Sequence, residues 1–268
     1  AEINALKKLK KSINKDFDKI VNLIIKCKGK VIFSGVGKSG IVAKKIASTN
    51  ASLGIPSIYV DAGSCSHGDL GMISSGDVII LISHSGESSE LKNIIQYAKR
   101  NKNITLIGVT SKKNSLLYKS SNLRFLLPAV IEAGPGNYIP TSSTTTQICF
   151  GDALAISTIK QRKFSKLNFR LYHPAGSLGA RLKTCEDLML TNKKIPFVKE
   201  NTTMKEALRI IAKKGLGVLL IKKRGITTAI LTHGDLERIN RKFGYFQKLK
   251  IKSVMKKNPV SVEKNTLA

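Results

Sequence analysis

Residues 78–90, VIILISHSGESSE, give the strongest indication of the fold. The stretch opens with five consecutive apolar residues, which predict a buried strand. A serine-rich bend follows, and the apolar spacing from Leu91 onward predicts a helix. Such a bend presents free backbone N–H groups and the positive end of a helix, and together these bind anions. Because Glu87 and Glu90 are unusual beside an anion, we expect chemistry as well as binding nearby.

The same alternation of strand and helix extends over residues 29–182. Strands are expected at 31–34, 57–60, 78–83, 105–109 and 123–127, with helices at 41–53, 91–100 and 141–159. Apolar strands separated by helices predict a three-layer αβα domain around a five-stranded, parallel, flavodoxin-like sheet. Ligands of such sheets lie beyond the carboxyl ends of the strands. The loops at 34–40, 83–90 and 109–113 are therefore the expected binding region.

The two ends of the chain have different patterns. Residues 1–28 are predicted to form one amphipathic helix, because apolar residues recur at steps of three and four, at Leu6, Leu9, Ile13, Phe17, Ile20 and Ile24. After residue 183, the segment 187–202 is echoed by 253–266, which indicates a repeated α+β module. We expect a first module at 187–246 and a second at 251–268. Since the second copy stops before its helix, we expect the chain to be truncated.

Composition restricts the function classes. The net charge is +29, but the 46 Lys and Arg residues are dispersed and Trp is absent, which favours a solvated basic surface over a nucleic-acid site. No apolar run is long enough to span a membrane, and no signal peptide is recognisable, so we expect no membrane association. The cysteines are scattered, which indicates a reducing cytoplasm: Cys27, Cys65, Cys149 and Cys185.

Two short motifs contain candidate ligand-binding groups. The glycine-rich turn at 35–40 has the spacing of neither a P-loop nor a dinucleotide-binding turn. It is either a tight strand–helix connection or a sugar-phosphate loop in which Lys38 supplies a fixed charge. Cys65, His67 and Asp69 stand at every second position, and these residue types and spacing fit a divalent transition metal such as zinc. The other interpretation is a structural turn in which His67 contacts substrate.

Two later motifs are rich in hydroxyl groups or contain histidine. Residues 140–146 carry the hydroxyls of Thr141, Ser142 and Ser143, which either cap a helix or line a sugar site. His173 precedes a proline in a glycine-containing loop. Core packing explains such a histidine poorly, so a catalytic role is favoured.

Taken together, these motifs resemble the sugar-isomerase (SIS) domain of the arabinose-5-phosphate isomerases. The matching segments are GVGKSG at 35–40, SHGDLGM at 66–72, SHSGESSE at 83–90, PTSSTT at 140–145, GDAL at 151–154 and HPAGSLG at 173–179. The repeat resembles a CBS pair, with THGDL at 232–236 ending its first module. The resemblance implies a cytoplasmic, oligomeric enzyme, usually a tetramer. It implies interconversion of D-ribulose 5-phosphate and D-arabinose 5-phosphate, which supplies 3-deoxy-D-manno-octulosonate (Kdo) for lipopolysaccharide.

The resemblance also implies roles for individual residues. Positions with catalytic relevance in the family are matched by Lys38, Glu90, Glu132 and His173. Substrate-contacting positions are matched by Gly54, Ile55, His67 and the segment 93–102. For an enediol mechanism we expect His173 and Glu132 to be the proton-transfer pair, with Glu90 as a third candidate. Lys38 is expected to stabilise negative charge. The phosphate is expected to bind at Ser83, Ser85, Ser88 and Ser89.

Some residues depart from the family pattern, and alternatives stay open. His84 stands where asparagine is usual, Ser64 where glutamate is frequent, and the loop after Glu132 reads AGPGNYI instead of containing a cysteine-proline-leucine run. No cofactor is expected, although a metal-dependent isomerase of a longer sugar phosphate, with zinc at His67, is one alternative. A non-catalytic, sugar-phosphate-binding regulator is another. The CBS region is expected either to bind a nucleotide-type ligand or only to stabilise the oligomer.

Overall fold

The chain folds into two units, which we describe individually. The computed structural model describes residues 1–268, apart from the side chains of Ser177 and Leu178. The first unit comprises Ala1–Gly179 and the second Ala180–Ala268. Within the described chain, no helix combines the length and the apolar character needed to cross a membrane.

Strands and helices alternate in the first unit. In chain order they are α1 (Glu2–Ser12), α2 (Lys15–Lys26), β1 (Val31–Gly35), α3 (Lys38–Ser52), β2 (Ser57–Tyr59), β3 (Val78–Ile82), α4 (Leu91–Arg100), β4 (Thr105–Thr110), α5 (Leu116–Ser120), β5 (Leu123–Leu126), α6 (Ser142–Gln161), α7 (Lys166–Tyr172) and α8 (Gly176–Ala180), the last ending at the boundary of the unit. Short 3₁₀ turns lie at Ser64–His67, Asp69–Met72 and Pro135–Asn137.

A five-stranded parallel sheet forms the centre of this unit, with the strand order β2-β1-β3-β4-β5. Phe33 of β1 is paired with Tyr59 of β2 on one side and with Ile80 of β3 on the other. All residues of β1 and β3 are buried, because helices cover both faces of a parallel sheet. The predicted flavodoxin-like α/β fold is therefore confirmed.

Consecutive residues of β3 point into two different hydrophobic cores. Ile80 belongs to the core shared with α2, α3 and α6, whereas Leu81 belongs to the core shared with α4 and α5. In the first core, the rings of Phe17, Phe125 and Phe150 pack together with centroids 4.5, 5.9 and 6.0 Å apart. Because both cores are closely packed, they hold the strand ends, and the loops that follow them, in fixed positions.

The prediction of one N-terminal amphipathic helix over residues 1–28 was wrong in one respect, since the structure has two helices there. Asn14 separates them: its backbone is extended, with φ −145°, and its Oδ1 accepts hydrogen bonds from the N–H groups of Asp16 and Phe17. Because an N-cap residue has non-helical backbone dihedrals, the helix is interrupted at Asn14, and the two bonds begin a second helix, α2. Ile13, counted as part of the apolar face, is 39% exposed.

The second unit is a mixed α+β structure, as the sequence predicted. Its elements are α9 (Cys185–Leu188), β6 (Phe197–Lys199), α10 (Met204–Lys214), β7 (Val218–Lys223), β8 (Ile226–Thr232), α11 (His233–Phe243) and β9 (Lys256–Lys257). The sheet order is β6-β7-β8-β9, with β6 parallel to β7 and the other pairs antiparallel. Thr232 and Asp235 form a capping box that begins α11.

The two copies of the repeat exchange backbone hydrogen bonds. Thr203, in the first copy, forms an antiparallel bridge with Lys250 at the start of the second. Thr184, at the start of the first copy, forms a corresponding bridge with Leu267 at the end of the second. The start of each copy is therefore bridged by backbone hydrogen bonds to the other copy. The internal similarity of the sequence did not predict this pairing.

Candidate active site

A cavity of about 370 Å³ lies at the carboxyl edge of the parallel sheet. The turn after β1, the turn after β3, the segment before α6 and the first turn of α6 line it, with Val36, Lys38, Ser39, His84, Val130, Glu132, Asn137, Tyr138, Pro140, Ser143 and Thr144. β1 and β3 are adjacent, and the strand order changes direction at this point, which is where ligands bind in folds of this type. The volume is typical of a small-molecule site.

A tight turn brings Lys38 to the cavity as the first residue of α3. Gly37 has φ 58° and ψ −129°, a conformation that is strained for other residues. A side chain at Gly40 would meet the carbonyl oxygen of Gly35 at 2.6 Å. The glycines therefore allow α3 to begin three residues earlier than predicted. Within the described chain, no carboxylate pairs with Lys38, so its charge is available to a ligand.

The carboxylate of Glu132 is fixed at the amino end of α6. Its Oε2 accepts hydrogen bonds from the N–H groups of Thr141 at 2.9 Å and Ser143 at 3.0 Å. Burial acts to raise the pKa of Glu132, but the hydrogen bonds from Ser143 and Thr141 outweigh it and hold the pKa below its ordinary value. Glu132 is therefore ionised at neutral pH, and in the described chain its Oε1 has no hydrogen-bond partner.

The three hydroxyl residues expected to line the sugar site have different surroundings. Ser143 lines the cavity. The Oγ1 of Thr141 accepts a hydrogen bond from the N–H of Ala133 at 2.8 Å and contacts Glu132, so Thr141 orients the carboxylate. Ser142 is fully buried, and its Oγ has no partner in the described chain.

The serines of the loop after β3 divide into two groups. Ser83 is buried and accepts a hydrogen bond from the N–H of Gly86 at 3.0 Å, and Ser85 accepts one from the N–H of Glu87 at 3.3 Å. These two hydroxyls shape the turn. Ser88 and Ser89 precede α4, where their backbone N–H groups donate to no acceptor in the described part of the chain. This second half of the loop has the free donors that an anion requires.

The two glutamates of this loop are not in the cavity. Glu87 accepts a hydrogen bond from the N–H of Leu116 at 2.8 Å, so its charge stabilises the amino end of α5. The loop thus directs the Glu87 side chain to α5 and not to α4, the helix that follows the loop. Glu90 is exposed and accepts a hydrogen bond from Ser89 Oγ at 3.0 Å.

His67 lies at the end of a 3₁₀ turn in a neighbouring loop, outside the cavity. Asn93 Nδ2 donates to Ser66 Oγ at 2.7 Å and ties this loop to α4. Cys65 is buried, and desolvation together with the charges of Asp69 and Asp61 raises the pKa of its thiol to about 11. Among the described residues, no three His, Cys, Asp or Glu side chains are close enough to hold a metal ion. Zinc at His67 stays a prediction.

Gly54, Ile55 and His173 lie at the opposite end of the sheet from the cavity. Gly54 follows the carboxyl end of α3, and a side chain there would meet the ring of Tyr172 at 2.6 Å. His173 directly follows Tyr172 in the chain, and its Nδ1 is 2.9 Å from the carbonyl oxygen of Phe169. Since α3 rises about 1.5 Å per residue, its length separates Gly54 from Lys38 by about 20 Å. Within a single chain, His173 and Glu132 are therefore not close together.

His84 is the cavity residue for which the sequence suggested no role. Its Nδ1 lies 2.8 Å from Ser111 Oγ, in the loop after β4. The sequence feature that could have identified His84 was its position after a predicted buried strand, at the edge of the sheet where ligands bind.

In the second unit, a cavity of about 250 Å³ is lined by α11 and the segment at 253–254. Arg238 and Lys242 contribute positive charge to it. Arg238 also pairs with Asp235. A nucleotide-type ligand in this unit stays a prediction.

Known protein families match the sequences of both units. The SIS domain family matches residues 23–157, and the CBS domain family matches residues 185–240. Arabinose 5-phosphate isomerase KdsD of Francisella tularensis is 40% identical over 271 residues, covering 100% of this chain and 83% of the relative. Arabinose 5-phosphate isomerase KdsD of Escherichia coli K12 is 38% identical over 269 residues, covering 100% of this chain and 82% of the relative.

A solved structure extends this similarity to a protein with a bound ligand. The protein c3406 of Escherichia coli CFT073, in complex with A5P, has a TM-score of 0.60 and 39% sequence identity. The match covers 64% of this chain and 92% of that protein.

Proposed function

We propose that this chain, which contains an SIS domain and a CBS domain and belongs to the arabinose 5-phosphate isomerases, interconverts D-ribulose 5-phosphate and D-arabinose 5-phosphate. The observation that carries this proposal is the pairing of a free ammonium with a fixed carboxylate across one cavity. Lys38 and Glu132 both line it, and so does His84 of the loop after β3.

The reaction moves a proton between C1 and C2 of the open-chain sugar through an enediol. Lys38 stabilises the negative charge that develops on the sugar oxygens, because a preorganised cation acts most strongly where charge appears. Glu132 is ionised and has one oxygen without a hydrogen-bond partner, so it can accept a proton. The N–H groups of Ser88 and Ser89 bind the phosphate at the amino end of α4.

A second copy of the chain supplies His173 to this site. The support is the separation of His173 from Lys38 by the length of α3, together with exposed apolar side chains near both residues. Ile41, on the first turn of α3, is 72% exposed, and Leu171 is 73% exposed. The enzyme is accordingly a homo-oligomer, and we expect a tetramer in the cytoplasm.

The reaction needs no cofactor, because Lys38, Glu132 and His173 supply the charge and the proton transfers that an enediol requires. We propose that the product serves the synthesis of Kdo for lipopolysaccharide, as the resemblance to the arabinose-5-phosphate isomerases implies. The second unit binds a nucleotide-type ligand or stabilises the oligomer.

The test is turnover by the purified chain on a panel of pentose 5-phosphates, with Lys38→Ala as the variant. Loss of the ammonium lowers kcat by about 10²–10³-fold. Lys44→Ala is the matched control, because Lys44 is exposed further along the same helix and does not line the cavity. Binding of a sugar phosphate without turnover would indicate a regulator instead. Loss of activity after exhaustive chelation would indicate a metal-dependent isomerase.

A further inference from the structure

The loop between Glu132 and α6 reads AGPGNYI at 133–139, which is the part of the cavity wall whose sequence departs from the family pattern. Two of its residues, Asn137 and Tyr138, line the cavity together with Glu132. Every residue from Gly134 to Pro140 is exposed, so packing against the hydrophobic core does not hold this loop. Its shape therefore depends on hydrogen bonds that form within the loop itself.

Asn137 connects the far side of this loop to the residue that carries the carboxylate. Its Oδ1 accepts a hydrogen bond from the backbone N–H of Glu132. The backbone of Asn137 has φ 55°, which lies in the left-handed region where asparagine and aspartate are enriched among residues other than glycine. The residue type at 137 therefore suits both the turn of the chain and the bond to Glu132.

The backbone and the carboxylate of Glu132 are fixed by different partners. The carboxylate accepts hydrogen bonds from the N–H groups of Thr141 and Ser143 at the start of α6. For the backbone N–H of Glu132, Asn137 Oδ1 is the only acceptor that the described chain offers. Loss of the Asn137 side chain would therefore release the backbone at Glu132, while α6 would still bind the carboxylate.

We propose that Asn137 is a positioning residue for the isomerase reaction, whose side-chain oxygen fixes the backbone of Glu132 so that the carboxylate meets the substrate in the geometry that proton transfer requires. This inference rests on the proposed function, because it concerns the same carboxylate and the same reaction. A proton acceptor must approach to about 2.6–3.2 Å, and a misplacement of about 1 Å costs up to about 10²-fold in rate. Since Asn137 acts through Glu132, its loss lowers kcat more than it changes KM.

The experiment compares Asn137→Gly with Asn137→Asp in the full chain. Glycine adopts the same φ but offers no oxygen to Glu132, whereas aspartate tolerates this φ and keeps an acceptor in the same place. We expect Asn137→Gly to lower kcat for D-arabinose 5-phosphate about tenfold with KM within about threefold of the wild type, and Asn137→Asp to keep kcat within about threefold. Asn192→Gly is the matched control, because Asn192 has φ 53° and does not line the cavity.

A double variant tests whether Asn137 acts through Glu132. In a chain that already carries Glu132→Gln, no carboxylate is left to accept a proton, so we expect Asn137→Gly to lower kcat no further. An equal fold-loss with and without Glu132→Gln would show an independent effect and overturn the proposal. A raised KM with unchanged kcat in Asn137→Gly would also overturn it, because that result indicates direct contact of Asn137 with the substrate.

Hydrogen–deuterium exchange at the Glu132 amide tests the bond without catalysis. We expect exchange about fivefold faster or more in Asn137→Gly and close to the wild-type rate in Asn137→Asp. Unchanged exchange in Asn137→Gly, in an enzyme that turns over the substrate, would overturn the inference and leave the isomerase function intact. A wild type that turned over no pentose 5-phosphate would overturn the proposed function, whereas faster exchange in Asn137→Gly would still support the positioning of Glu132 by Asn137.

Discussion

The N–H of Ser143 donates a hydrogen bond to Glu132 Oε2 at 3.0 Å, and this bond connects the amino end of a helix to a carboxylate of the active site. The helix end and the negative charge stabilise each other. Glu132 and Lys38 line the same cavity. Removing the charge of Glu132 and removing its hydrogen-bond acceptor are therefore separable changes.

Replacing Glu132 by glutamine removes the charge but keeps an oxygen that can accept the bonds from α6. We expect kcat to fall by about 10²–10⁴-fold, because the amide cannot accept a proton from the substrate. The melting temperature should change little. Steady-state kinetics and thermal unfolding check the two expectations, with the exposed Glu263→Gln as control. Near-normal turnover by Glu132→Gln would remove Glu132 from the proton transfer.

The substitution Gly86→Ala should disturb the loop after β3, which we propose binds the phosphate. Gly86 has φ 70°, and a side chain there would lie 2.3 Å from Ser115 Oγ and 2.8 Å from Thr110 Oγ1. We expect a loss of about 2 kcal/mol in unfolding free energy and a higher KM, because the loop must shift to relieve the contact. Gly71→Ala is the matched control, since Gly71 has open space around it and no left-handed φ. Equal effects of both variants in denaturant titrations would contradict the argument.

The substitution Asp77→Asn should make the unfolding free energy less dependent on pH in the acidic range. Asp77 is 2% exposed and accepts hydrogen bonds from Lys30 Nζ at 2.7 Å and from the N–H of Ser74 at 2.7 Å. Burial acts to raise its pKa, but the bonds from Lys30 and Ser74 outweigh it, so the pKa is lowered. The stabilisation is fully present above the unfolded-state pKa and is lost as the pH falls through the lower folded-state pKa.

We therefore expect Asp77→Asn to cost about 2 kcal/mol of unfolding free energy at pH 7 and progressively less below about pH 4. Chemical denaturation of the wild type and the variant at a series of pH values measures this difference. Asp16→Asn is the control, because the Asp16–Lys19 pair is exposed on the surface. A difference that stays constant down to acidic pH would show that the charge of Asp77 is not the cause.

Subunit mixing should reveal where His173 acts. His173→Ala alone lowers kcat by about 10²–10⁴-fold if the imidazole carries a proton. Because His173 is at the far end of α3 from Lys38, we expect each active site to take these two residues from different chains. Co-assembly of His173→Ala with Lys38→Ala should then regenerate sites in which both residues are intact. Activity in the mixed oligomer above the sum of the separate variants supports this, and its absence after verified exchange contradicts it.

Local features of this protein could be predicted well from the chain itself. The apolar runs predicted strands at 78–83 and 105–109, and the observed strands are Val78–Ile82 and Thr105–Thr110, because strands buried on both faces of a sheet consist mostly of consecutive apolar residues. The turn at Gly35 and the α+β character of the second unit were also recognisable. The break at Asn14 was missed, because apolar spacing continues across it and only the capping bonds of Asn14, which begin α2, mark it.

The sequence by itself thus determined the strands, the helices, the parallel sheet and the family, because these depend on local periodicity and on ordered motifs. The tertiary structure decided which polar groups meet. Strand order joins His84 to Ser111, and the path of the chain into α6 joins Glu132 to Ser143, while the length of α3 keeps His173 away. These relations depend on packing between segments distant in the chain, and residue type alone does not specify such packing.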